Sequence, residues 1–305
     1  MTQNIRDIFE QNTLLIEQLD KAVICFRRQL NDKALSMVAN SFDQIKHAVE
    51  AIIEDREYFN LVSTDSVLEM LTAILEAQKN RDYILLTDLL ELQLISFLCG
   101  VQELIISKEE IVFDEDKYQD NIAVLIKKGI GFSELILEPI NTAQLLKSGY
   151  RVEFTSSGRM TLAAENEGAK FYFHTNSKVK EEAYLLADYW SREEKLSYTL
   201  YGIGMGYHIS ELHELAPKAK IKIYEADLNV IMLACAFTDI KKLFEDDSVT
   251  LVYDPEFTKL KEELLNMPSE DMIYIHYPSY QNIRKKEGRK LLETYIPWSK
   301  TIEFC

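Results

Sequence analysis

The residues best placed to do chemistry in this 305-residue chain are Gly202-Ile203-Gly204-Met205-Gly206. LSYTLY before them alternates as a strand, and YHISELHEL after them spaces its apolar residues as a helix. Glycines at a strand-to-helix turn permit positive φ and close backbone approach, and the helix start offers amide hydrogens to an anion. Gly202, Gly204 and Gly206 are therefore expected to contact a nucleotide-type ligand through backbone, with Tyr207 beside them. A tight turn that only lets strand and helix pack closely is the competing reading.

The next strand, KIKIYEAD, ends at Glu225, nineteen residues past Gly206, near the position from which an acid grips a ribose hydroxyl pair. Asp254 closes the third strand and is expected either to contact a base or to cap the helix after Pro255. His276 closes the fourth. His174 also ends a strand, so both histidines are expected on the rim of one crevice. His208 and His213 lie five apart on one helix and diverge, so they make no ligand pair. Cys25, Cys99, Cys235 and Cys305 form no ligand cluster, and no metal is expected.

These residues need a scaffold. From residue 179 helical and strand patterns alternate, and four β-α repeats imply an α/β Rossmann-like, doubly wound and mostly parallel sheet of the methyltransferase-like kind. Ligands of such sheets bind beyond the carboxyl ends of the strands. Residues 150–174 read as three short strands turned at Ser156-Ser157-Gly158 and at Asn166-Glu167-Gly168. Together these give one domain over 150–305.

Through about residue 107 there is no glycine before Gly100 and no proline. Apolar steps of three and four run from Ile5 to Leu30, from Leu35 to Ile52, from Val67 to Leu75 and from Tyr83 to about Ile106. That predicts an all-α four-helix bundle over 1–107, its last helix the most buried. Residues 108–149 read as a linker with short helices, one near 118–128, followed by Gly129 and Gly131.

Fifty acidic against 34 basic residues, a net charge of -16, leave no broad cationic face for nucleic acid. The most apolar run, Leu85 to Val101, is interrupted by Asp88, Glu91 and Gln93, and no secretory signal is expected at the start. Dispersed cysteines read as reduced thiols, so a cytoplasmic protein is expected.

The runs FYFHTNSKVKEEAYLLADYW, LYGIGMGYHISEL, IKIYEADLNVIMLA and IYIHYPSY resemble the amino-terminal region of the motility accessory factor family, bacterial glycosyltransferases implicated in adding nonulosonic acids to flagellin. The resemblance covers about residues 150–300. It implies a nucleotide-type fold and not the transferase residues, because the family's central catalytic domain would begin where Cys305 ends this sequence. The expectation is an accessory protein that binds a nucleotide or nucleotide-sugar and acts in glycosylation or handling of flagellin or another surface protein. The bundle would contact flagellin or a glycosyltransferase.

Two alternatives stand beside it. One is an S-adenosylmethionine-dependent methyltransferase, since Tyr277-Pro278-Ser279-Tyr280 stands where amino-methyltransferases carry Asn/Asp-Pro-Pro-aromatic. Tyr277 and Leu200 depart from that pattern by removing polar contacts. The other is a structural scaffold with a vestigial crevice.

Overall fold

The computed structural model describes residues 2–55, 57–60, 63–109, 115–128, 148–166, 168–268 and 271–296. The chain divides into two compact units. One holds Met1–Ile111, Phe154–Arg159 and Ser177–Glu181, and the other holds Val112–Glu153, Met160–Asn176 and Glu182–Cys305.

The first unit is helical, with α1 (Gln3–Arg27), α2 (Asn31–Asn40), α3 (Phe42–Glu54) and α4 (Thr64–Lys79). A long final helix runs as α5 (Tyr83–Leu89), a π-helical turn (Leu90–Ile95) and α6 (Ser96–Lys108). The helix expected over 35–52 is broken at Ser41. The Ser41 hydroxyl lies 3.0 Å from both Gln18 Oε1 and Met37 O, a local competition that interrupts helices.

Leu86, Leu90, Leu94 and Leu98 meet Leu15, Ile16, Leu19 and Val23 in the core. A stripe in steps of four drifts about 40° per step around an α-helix, and the wider π turn holds it in register. The last helix is less enclosed than its composition suggests: Leu92 is 68% exposed and Ile84 76%. By length and composition Tyr83–Lys108 could cross a membrane. Here it lays one face into the helical core, and Arg27 bonds its Asp88 and Glu91 at 2.7 and 3.0 Å.

The two later segments that belong to this unit, Phe154–Arg159 and Ser177–Glu181, are tied down by polar contacts. Arg159 pairs with Glu17 at 2.5 Å, and Lys178 pairs with the buried Asp20 at 3.0 Å.

The second unit is a mixed α/β structure. The strands β1 (Tyr150–Phe154), β2 (Met160–Asn166) and β3 (Ala169–Tyr172) form a three-stranded sheet in that order, with β2 and β3 antiparallel. After α8 (Val179–Ser191) come β4 (Ser197–Tyr201), α9 (Tyr207–Leu215), β5 (Lys220–Glu225), α10 (Leu228–Phe237), α11 (Lys241–Glu245), β6 (Val249–Tyr253), α12 (Thr258–Asn266), β7 (Ile273–Ile275), α13 (Tyr277–Gln281) and α14 (Lys286–Glu293).

Strands β4 to β7 are parallel, in the order β6-β5-β4-β7. The chain therefore runs outward one way from β4 and returns to its other side, the kind of reversal beyond which ligands of such sheets bind. Tyr201 and Tyr224 join Leu260, Leu264, Phe257 and Leu292 in one core.

The span expected as a linker is only partly that. Its helix α7 (Glu115–Lys127) buries Tyr118, Asn121, Ile122 and Leu125. Asn121 Nδ2 donates to Cys235 O and Thr238 O, both at 2.8 Å. These are carbonyls at the end of α10, a helix buried nearly all round, so α7 is a structural layer of the α/β unit. Gly129, Gly131 and most of the expected linker lie outside the described residues, as does Cys305.

Candidate functional site

Strand β4 delivers the glycine turn to the strand-order reversal, and the turn has the backbone shape its sequence requires. Gly202, Gly204 and Gly206 have φ of 101°, 50° and 81°, a region that L side chains avoid. Space is equally restrictive. A Cβ on Gly202 would stand 2.3 Å from Ser279, and one on Gly204 would stand 2.9 Å from His174 Nε2 and 3.0 Å from His276 Cε1.

The amides of the turn were expected to face an anion. Four of them instead meet acceptors of the chain itself. Gly202 N donates to Tyr224 O at 2.8 Å and Gly206 N to Ile203 O at 2.8 Å. Ile203 N donates to Glu225 Oε2 at 3.1 Å, and Met205 N to His174 Nε2 at 3.2 Å. The physical reason is proximity: the next strand end and the chain after β3 both reach the notch. A buried amide needs an acceptor, and these side chains supply it.

Glu225 is itself buried at the end of β5. Its Oε1 accepts from Ala226 N at 2.9 Å and Asp227 N at 3.0 Å. Three backbone amides thus converge on the carboxylate expected to hold a ribose. Burial, only partly offset by those amides, raises its pKa to about 7.

Asp254 turns inward too. Its Oδ1 accepts from Thr258 N at 3.1 Å and its Oδ2 from Leu260 N at 2.8 Å, both in the first turn of α12. The Tyr207 hydroxyl donates to Met160 O at 2.9 Å. Beyond them, Tyr150 donates to Asp227 at 2.6 Å and Asn282 Nδ2 to Asp227 at 3.2 Å.

The unexpected feature is a trio of histidines. His174, His208 and His276 are exposed by 2%, 0% and 1%, and one ring nitrogen of each lies within 4.8 Å of the others. His208 and His276 stack at 4.3 Å with planes 9° apart, and His174 lies 4.9 Å from His276. Trp190 and Tyr207 pack edge-on against the group.

Partners fix part of the protonation pattern. A carbonyl only accepts, so the 3.1 Å contact of His208 Nε2 with Gly202 O puts the proton on Nε2. His276 Nδ1 meets Ser279 Oγ at 2.7 Å. Burial holds the His208 pKa down at about 4 and that of His276 well below the usual imidazole range.

Sequence reading put His174 and His276 at one crevice but left out His208. It does diverge from His213, yet it turns toward the other two. The available signal was position, since each of the three stands at a strand end or directly after the glycine turn. Leu200, where a methyltransferase would carry an acid, is buried in β4. Tyr277 opens α13 and is partly exposed.

No family model matches the chain, and no curated protein matches it. Among solved structures it is similar to MnmC2 from Aquifex aeolicus, at 15% identity and a TM-score of 0.33, over 66% of this chain and 70% of that one. A likeness of that size carries no argument.

Proposed function

We propose that this is a non-catalytic accessory protein whose α/β unit is a doubly wound, Rossmann-like domain of methyltransferase type with its ligand notch filled from within. The observation that carries this reading is the pairing of Ile203 N with Glu225 and of Met205 N with His174. In a ligand-binding turn those amides would be held for an anion. The reading favours the scaffold alternative over nucleotide, nucleotide-sugar or S-adenosylmethionine binding.

The protein acts in this reading through protein contact, in the cytoplasm, in glycosylation or handling of flagellin or another surface protein. The resemblance of GIGMGYHISEL and its neighbours to motility accessory factors supports the pathway. The helical unit exposes Leu68, Leu75 and Leu92, side chains that a protein contact would cover in this reading.

Two measurements test it. Calorimetric titration of the full chain with CMP, UDP-sugars and S-adenosylmethionine is expected to give no saturable heat. Reciprocal co-purification from the source cells is expected to recover flagellin or a flagellin-modifying transferase. Micromolar binding of any of those ligands, or methyl transfer to any substrate, contradicts the reading.

A further inference from the structure

We propose that His174, His208 and His276 together bind one transition-metal ion of the zinc class. The inference goes beyond the accessory role and concerns a second use of the same side chains, in which His174 gives up the Met205 amide.

Three elements bring the rings together: the chain just after β3, the first turn of α9 and the end of β7. His208 Nδ1 and His276 Nε2 are buried and have no hydrogen-bond partner among the described residues. Because Nε2 of His208 carries its proton to Gly202 O, Nδ1 presents a bare lone pair. His276 Nδ1 meets Ser279 Oγ at 2.7 Å, and in the tautomer that donates from Nδ1 its Nε2 presents another. Two unpaired acceptors buried side by side are costly, and a cation between them would satisfy both. His174 supplies the third imidazole within the same 4.8 Å, once its Nε2 releases the Met205 amide.

The surroundings suit a metal of this class. Neutral imidazole is a good ligand for zinc, copper and nickel, whereas calcium and magnesium require oxygen. In His208 and His276 the nitrogen away from the cluster bonds a backbone carbonyl or a hydroxyl, which is the outer-shell arrangement that orients metal-bound histidines.

Binding requires a defined movement. Two nitrogens on a tetrahedral zinc stand about 3.4 Å apart, so the rings must draw inward. The parallel pair His208 and His276 must also lose its 9° stacking, because a metal cannot lie in two parallel ring planes. The hydroxyl partner of His276 can rotate with its ring, while the carbonyl partner of His208 cannot.

The test uses the full chain with any affinity tag removed, stripped with chelator and titrated with Zn(II) and then Co(II). Elemental analysis is expected to give one zinc per chain, and Co(II) to give the intense visible bands of a tetrahedral nitrogen site. His208→Ala and His276→Ala are expected to abolish both, and Ser279→Ala to weaken affinity about tenfold. His213→Ala serves as the control and is expected to bind as the wild type. Wild-type protein that retains less than about a tenth of an equivalent and shows no cobalt bands overturns the proposal, as does stoichiometric binding that survives in both histidine variants. The wild-type measurement decides even if a variant fails to fold.

Discussion

His174 Nε2 accepts the amide hydrogen of Met205 at 3.2 Å. The histidine thus occupies, from within, the place at a glycine turn where the oxygen of a bound anion would stand. It is held there by its own backbone, since Thr161 Oγ1 donates to His174 O at 2.7 Å. Replacing it with alanine removes a buried acceptor and opens a cavity. His174→Ala is expected to destabilise the fold by about 2–4 kcal/mol in urea denaturation. A change below about 0.5 kcal/mol would mean the contact is not formed.

Gly204 is hemmed by the same ring. Its φ of 50° and a Cβ clash with His174 and His276 act together. Gly204→Ala is therefore expected to cost at least about 2 kcal/mol, whereas Gly168→Ala, with φ of 79° and open space, meets only the backbone term. Equal losses in the two variants would show the notch to be empty.

Glu225 offers a different test, because its role here depends on being an acceptor at both oxygens. Glu225→Gln keeps the shape but turns an NH2 toward a backbone amide. The expected loss is about 1–3 kcal/mol. An unchanged or raised midpoint of thermal unfolding would point to an acid poised for an external ligand.

Much of this arrangement was legible in the sequence. The alternation of LSYTLY, the glycines and the apolar spacing of YHISELHEL fixed strand, turn and helix, and the four repeats implied parallel strands. The filling of the notch was not legible, because it depends on strand ends meeting in space, and residues 174, 208 and 276 share no spacing rule. The break at Ser41 escaped because the buried stripe continues across it from Val38 to Ile45. A short helix is expected near 118–128 and α7 forms there, but its packing against the α/β unit was not legible from the acidic stretch before it, although Tyr118, Ile122 and Leu125 mark a buried face.

That face yields a prediction in turn. Asn121 closes the carbonyl end of α10 with two donated bonds. Asn121→Leu leaves Cys235 O and Thr238 O without those donors, and should lower stability by about 1–3 kcal/mol. Limited proteolysis should then cut between residues 110 and 128 faster than in wild type. An unchanged cleavage pattern would return the segment to the status of a tether.

In the helical unit, burial raises the Asp20 carboxyl from 3.8 to about 7, outweighing the nearby Lys178 ammonium. A carboxyl that holds its proton more tightly when folded adds stability that is whole below its unfolded pKa and is lost as pH rises through the folded one. Wild type should therefore lose stability relative to Asp20→Asn between about pH 4 and pH 7. Urea denaturation of both at several pH values checks this, and a difference that is flat or reversed with pH contradicts it.

The most direct measurement is hydrogen exchange at the Ile203 and Met205 amides, resolved by NMR on the full chain with and without CMP, UDP-sugars and S-adenosylmethionine. If Glu225 and His174 close the notch, both amides exchange slowly in free protein and none of the nucleotides changes their rates or shifts. Fast exchange in the free protein, with protection appearing only when a nucleotide is added, would contradict a notch filled from within.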